Sequence, residues 1–171
     1  MSVHTPTDYL AKLQKIKYRA AIFPILLVFA SFGINIIFEI DQAKYLSIIG
    51  LLWYILIIMR FRISRNHPPE SKNEILLSPI YGKIVKIDGN IITIKKGIFQ
   101  PADLRYSGQI FDVEINSKQI NYFEDQPHLA GKLFGVISTS ALCICTIPNG
   151  WKINAKFDDK VVSGETILAE K

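Results

Sequence analysis

The sequence predicts a mainly β protein: an N-terminal helical hairpin, transmembrane or re-entrant, followed by a compact β-barrel or sandwich domain. Three observations carry this. Apolar residues concentrate between 20 and 59, in two runs separated by a short polar turn. Lys and Arg flank that pair on both sides. After residue 74 the hydrophobic pattern changes to period two, with turn residues between short runs. The expected divisions are a basic N-terminus over 1–19, a membrane hairpin over 20–59, a linker over 60–73 and a β domain over 74–171.

The first apolar run, AAIFPILLVFASFGINIIF (20–38), is almost uncharged and 19 residues long. That is enough helix to cross a hydrocarbon core of about 30 Å. Pro24 falls near its start, where a missing N–H does least harm. EIDQAK (39–44) is the polar turn. The second run, YLSIIGLLWYILIIM (45–59), is 15 residues. That is short for a full span, so it crosses with thinning or snorkelling, or returns as a re-entrant arm. Both runs are apolar on every face, unlike the helices of a soluble hairpin. The first run is no cleavable signal, because a second follows it at once.

The chain has a net charge of +5 and a pI near 9.2. A basic balance fits nucleic acid or an anionic membrane surface, and the positions of the charges decide between them. Lys12, Lys15, Lys17 and Arg19 precede the hairpin; Arg60, Arg62, Arg65 and Lys72 follow it. The turn holds Glu39, Asp41 and Lys44. The positive-inside rule puts both flanks in the cytoplasm. The β domain is therefore expected on the cytoplasmic side of the inner membrane. Arg60, Arg62 and Arg65 are expected at the level of anionic lipid headgroups. Membrane lipids account for the basic pI, and no nucleic-acid partner is expected.

FRISRNHPPESKNE (61–74) reads as a polar linker stiffened by Pro-Pro. EILLSPIYGKIVKID, NIITIKK, QIFDVEIN, GVISTSALCICTI, WKINAKF and ETILAE read as strands. Asp88-Gly89 and Asn149-Gly150 are hairpin-type turns. Residues around 101–106 and 117–131 are expected to be irregular. GVISTSALCICTIP (135–148) reads as one strand with three successive hydroxyls, Ser138, Thr139 and Ser140. Cys143 and Cys145 are read as small core residues: two residues of extended chain close no useful disulfide loop, and no further metal ligands accompany them. No metal site is expected. A lipoyl or biotin carrier would need a lysine at a hairpin tip. Lys83, Lys95 and Lys96 lack the Asp-Lys or Met-Lys-Met setting of such a site.

LLSPIYGKIVKI (76–87), GVISTSALCICTIP and VVSGETILAE (161–170) together resemble the bacterial phosphatidylserine decarboxylases in their short, membrane-anchored form. The order of segments fits as well: basic N-terminus, two apolar runs, the Arg-rich exit MRFRISRNHP, then the β domain. The resemblance implies a β domain of the decarboxylase, hybrid-motif-like type. It also implies a self-processing enzyme. A serine in a Gly-Ser pair attacks the preceding carbonyl, the chain is cut, and the serine becomes a pyruvoyl group that acts as electron sink for loss of CO2.

This chain departs from that pattern at each reactive position. Tyr81 stands in SPIYG where the family has an Asp, and a phenol is a poor base at neutral pH. No His-Val-Asn-Arg segment is present; of His4, His67 and His128, only His128 lies in the β domain. Tyr81 and His128 are the nearest counterparts of the lost partners. Ser140-Ala141 replaces Gly-Ser. A shift of one residue makes Ser140 the nucleophile behind Thr139, but it turns every side chain to the other sheet face and puts a β-branched residue where glycine is used. The expected protein is a non-catalytic relative associated with phospholipid metabolism, with no cofactor. The alternative is an active decarboxylase with a pyruvoyl group from Ser140. A third reading takes the Ser-Pro and Gly-Glu-Thr phrases as those of an anchored hybrid-motif scaffold in a membrane protein complex.

Overall fold

The computed structural model describes residues 7–64, 67–69, 74–108, 112–123 and 130–171. Two antiparallel helices come first, α1 (Thr7–Phe38) and α2 (Ala43–Arg60). Both are long and apolar enough to cross a bilayer. The 18 residues of α2 extend about 27 Å, so it is longer than its apolar run suggests: Ala43, Lys44 and Arg60 are also helical. Around the pair, large apolar side chains point outward; Phe29 is 70% and Ile36 78% exposed. The helices meet along a seam that includes small residues. Ala43, Gly50 and Ile57 are buried on α2 at seven-residue spacing. A Cβ on Gly50 would lie 2.7 Å from Val28 Cγ2 and 3.0 Å from the Pro24 carbonyl, so only glycine permits this approach. Ser31 and Ser47 join hydroxyls across the seam.

Within the basic segment before residue 20, residues 7–19 are the first part of α1, whose 32 residues extend about 48 Å. The excess length lies along the β domain. Leu13 is buried with Ile57, Phe61, Ala102, Phe123, Leu133 and Val136, and Tyr9 and Ile16 pack on the same cluster. Lys12 Nζ donates to the Phe123 carbonyl at 3.2 Å. The linker is strapped down too. Phe61 is buried, the Ala102 amide donates to the Arg62 carbonyl, and the His67 amide donates to Glu165. The hairpin therefore stands on the β domain through packed contacts.

The β domain contains β1 (Ile75–Leu77), β2 (Gly82–Asp88), β3 (Ile91–Lys96), β4 (Asp103–Arg105), β5 (Val113–Ser117), β6 (Ile120–Tyr122), β7 (Leu133–Ile137), β8 (Ala141–Thr146), β9 (Lys152–Ile153), β10 (Lys160–Val161) and β11 (Ile167–Glu170). They form three antiparallel sheets in the orders β1-β11-β9, β10-β2-β3-β8-β5 and β4-β7-β6. One core serves all three: Leu76, Ile84, Ile94, Leu104, Ile137 and Leu168 are each fully buried within it. Among the described residues no sheet closes on itself, so the expected barrel is an assembly of open sheets.

Several expectations change here. Residues 101–106 contain β4 and 117–131 contain β6, both paired with β7. GVISTSALCICTIP is two strands, not one: β7 belongs to one sheet and β8 to another, and the chain changes sheets at Ser138-Thr139-Ser140. Asp88-Gly89 does precede a hairpin turn between paired β2 and β3. Asn149-Gly150 is a turn, but it links strands of different sheets.

Candidate functional site

The hydroxyl triplet forms a corner at the foot of the hairpin. Ser138 is buried, Thr139 half-buried and Ser140 exposed. Each of the three backbone carbonyls accepts a side-chain hydrogen bond. Arg60 Nε donates to Ser138 O at 3.0 Å, Lys96 Nζ to Thr139 O at 3.4 Å and Ser117 Oγ to Ser140 O at 3.2 Å. A corner between sheets leaves its carbonyls outside any ladder, and burial makes such groups costly unless paired. Two cations and a hydroxyl supply the partners. The hydroxyls of Thr139 and Ser117 are also bonded to each other at 2.8 Å.

Lys96 reaches this corner from the end of β3. Alternation along the strand puts Ile92, Ile94 and Lys96 inward. Its ammonium donates to the carbonyls of Gly97, Gln100 and Thr139, at 3.2, 3.3 and 3.4 Å. Burial lowers its pKa from 10.5 to about 8; Asp103 opposes the drop and Arg60 adds to it. Between about 8 and 10.5 the unfolded chain holds a proton that the folded one has lost, so stability rises with pH across this window. Urea denaturation of the full chain in mild detergent should show the midpoint rising from pH 8 toward 10. Lys96→Met should abolish that rise.

Beneath the corner lies a buried ionic cluster. Asp103 and Arg105 stand two residues apart on β4 and point to one face. Arg105 donates to Asp103 Oδ2 through Nε at 3.1 Å and through a terminal nitrogen at 2.9 Å. It also donates to the carbonyls of Gly131 and Ser64, at 3.0 and 3.1 Å. The Ser64 amide returns a bond to Asp103 Oδ1 at 3.1 Å. Burial pushes the Asp103 carboxyl upward, and the Arg105 charge and hydrogen bonds work against it. Tyr81 joins the cluster through a hydroxyl contact with Ser64. Burial raises its phenol above 10, so it stays protonated at neutral pH.

The SPIYG and VVSGET phrases meet in space. Gly164 N donates to Ser78 O at 2.7 Å, Ser78 N to Thr166 O at 2.9 Å and Ser163 Oγ to Pro79 O at 2.8 Å. Tyr81 and Ser140 do not meet: Tyr81 is bonded to Ser64, while Ser140 engages Ser117 through its carbonyl. Ala141 is buried as the first residue of β8, opposite Lys96. Cys143 and Cys145 are free, fully buried core residues with sulfurs 3.7 Å apart. Arg60 turns to the corner, and Arg62 is exposed. Arg65 and His128 lie outside the described residues. Among the described residues no cluster of metal-ligating side chains occurs.

Sequence reasoning missed the cleft beside the corner. It has a volume of about 400 Å³. Ile16 and Ala20 of α1 and Phe61 form one wall; Lys118, Gln119, Asn121 and Ser138 contribute polar groups to the other. Ser138 Oγ is bonded to Gln119 Oε1 at 3.3 Å. The apolar wall continues along α1 toward its exposed apolar side chains, Phe23 and Phe29 among them. The polar wall belongs to the β5–β6 turn, strand β6 and the corner. Comparison with protein-family models, with curated proteins and with solved structures found no match for this chain.

Proposed function

We propose that this chain is a membrane-anchored, non-catalytic relative of the phosphatidylserine decarboxylases that holds a phospholipid headgroup in the junction cleft. Its β domain lies on the cytoplasmic side of the inner membrane, with Arg60 and Arg62 at headgroup depth. The observation that carries this is the two-sided cleft. It presents Lys118, Gln119 and Asn121 toward a headgroup and Ile16 and Ala20 toward the first carbons of an acyl chain. The lysine adds attraction for the phosphate. Support for the non-catalytic reading comes from Tyr81, whose hydroxyl is engaged by Ser64, and from Ala141, which is buried at the start of β8 and has no hydroxyl. Native mass spectrometry of the full chain, extracted in mild detergent, tests the reading. The protein should retain a phospholipid. Lys118→Glu should lower the retained fraction on the order of tenfold, while the same change at exposed Lys160 on β10 leaves it unchanged. No retained lipid, or equal loss in both variants, contradicts the proposal.

One contact favours the alternative in which Ser140 becomes a pyruvoyl group. Lys96 donates to Thr139 O, the carbonyl that Ser140 would attack. A cation there stabilises negative charge developing on that oxygen. At 3.4 Å the bond is long, and two other carbonyls share the same ammonium.

A further inference from the structure

The turn after β3 carries two adjacent apolar residues at its tip, Ile98 and Phe99, 45% and 56% exposed. Turn tips normally carry Gly, Pro, Asn, Asp or Ser, and single exposed apolar residues need no explanation. This pair differs in how firmly it is presented. The Gly97 amide donates to Gln100 Oε1 at 2.8 Å, and the Gln100 amide to Gly97 O at 3.3 Å. From beneath, the buried Lys96 ammonium bonds the carbonyls at both ends of the turn, Gly97 O and Gln100 O. A charge is thus buried in the β domain where it holds an apolar tip outward.

The position of the turn identifies what the tip meets. Two residues after Gln100, Ala102 is buried with Ile57 and Phe61 at the foot of the hairpin, and its amide donates to Arg62 O at 2.8 Å. The turn is therefore tethered, through Ala102, to the foot of the hairpin just after α2. Exposed Lys95 and Arg62 lie beside it in the chain or across that bond, offering positive charge to an anionic surface. We propose that Ile98 and Phe99 insert into the bilayer interface as a second membrane contact, which fixes the tilt of the β domain and turns the junction cleft toward the lipid. An apolar tip of this kind buries about 5–10 Å deep, at the headgroup–acyl boundary. The inference rests on insertion of the hairpin in a bilayer.

The test uses the full chain reconstituted in vesicles containing anionic lipid. Phe99→Cys is labelled with an environment-sensitive fluorophore; Cys143 and Cys145 are fully buried and leave the new thiol as the reactive one. Ile91→Cys, at the other end of β3 and 42% exposed, carries the same label as control. Five residues of strand separate Ile91 from Lys96, about 17 Å. The label at position 99 should be blue-shifted and quenched by nitroxide-bearing lipid, and the label at position 91 should report water. If the chain floats with the vesicles but position 99 matches position 91, the wedge is wrong and the hairpin stands; a partner protein is then the remaining occupant for the tip. If the chain does not float with the vesicles, the membrane reading and the wedge fall together.

Discussion

Arg105→Met is expected to destabilise the β domain by about 3–5 kcal/mol, the range for breaking one side of a buried ion pair. The guanidinium is 2% exposed and its partner Asp103 is fully buried. Methionine fills much of the volume but leaves the buried Asp103 carboxyl without its cation, so the carboxyl must either carry an unpaired charge or take up a proton. It also strands the carbonyls of Gly131 and Ser64, both of which accept from Arg105. These bonds tie three parts of the chain together: the linker at Ser64, strand β4, and the turn at Gly131. Loss of the arginine should therefore loosen the linker as well as the sheet. Urea denaturation followed by β-sheet circular dichroism gives the stability, and hydrogen exchange at the Ser64 amide gives the linker.

The double variant Asp103→Leu/Arg105→Met separates charge from wiring. Replacing a buried pair by apolar residues is often close to neutral. Here the Ser64 amide and the two carbonyls would still lack partners, at about 1–3 kcal/mol for each group left unsatisfied. The double variant should recover only part of the loss. Full recovery would mean that the cluster's backbone bonds contribute little.

Much of the architecture was legible because it is written in local pattern. The hairpin is visible in two apolar runs, and its polar turn in EIDQAK. The core role of Cys143 and Cys145 follows from alternation along β8. The inward face of Lys96 was equally available, since Ile92, Ile94 and Lys96 share a side of β3. A lysine ending an inward row was the signal, and the adjacent Lys95 disguised it as an exposed basic pair. The Asp103–Arg105 pair was harder to find. PADLRY looks like loop because it combines Pro, Asp and Arg, and the ladder that makes it a strand comes from β7, about thirty residues on. The partners that make burial of its charges tolerable are in the linker and at Gly131, beyond any local window. The corner at Ser138–Ser140 has no Gly or Pro to announce it. Its turn depends on Arg60, Lys96 and Ser117 capping three successive carbonyls, which only the tertiary structure brings together.

The same corner decides whether the protein performs chemistry, and the mass of the full chain reads that out. A self-cleaving chain would break between Thr139 and Ser140, the bond whose carbonyl faces Lys96. Cleavage needs a proton taken from the Ser140 hydroxyl as it attacks. Tyr81 is protonated and bonded to Ser64, so it does not serve as that base. Ala141, the next residue and the first of β8, has no hydroxyl and is buried. Intact-mass measurement of protein extracted from membranes should therefore give one species at 19.4 kDa, unchanged in fold and state by Ser140→Ala. A fragment carrying residues 140–171 with a pyruvoyl group at its start, present in the wild type and abolished by Ser140→Ala, would contradict the non-catalytic reading and make Ser140 the nucleophile.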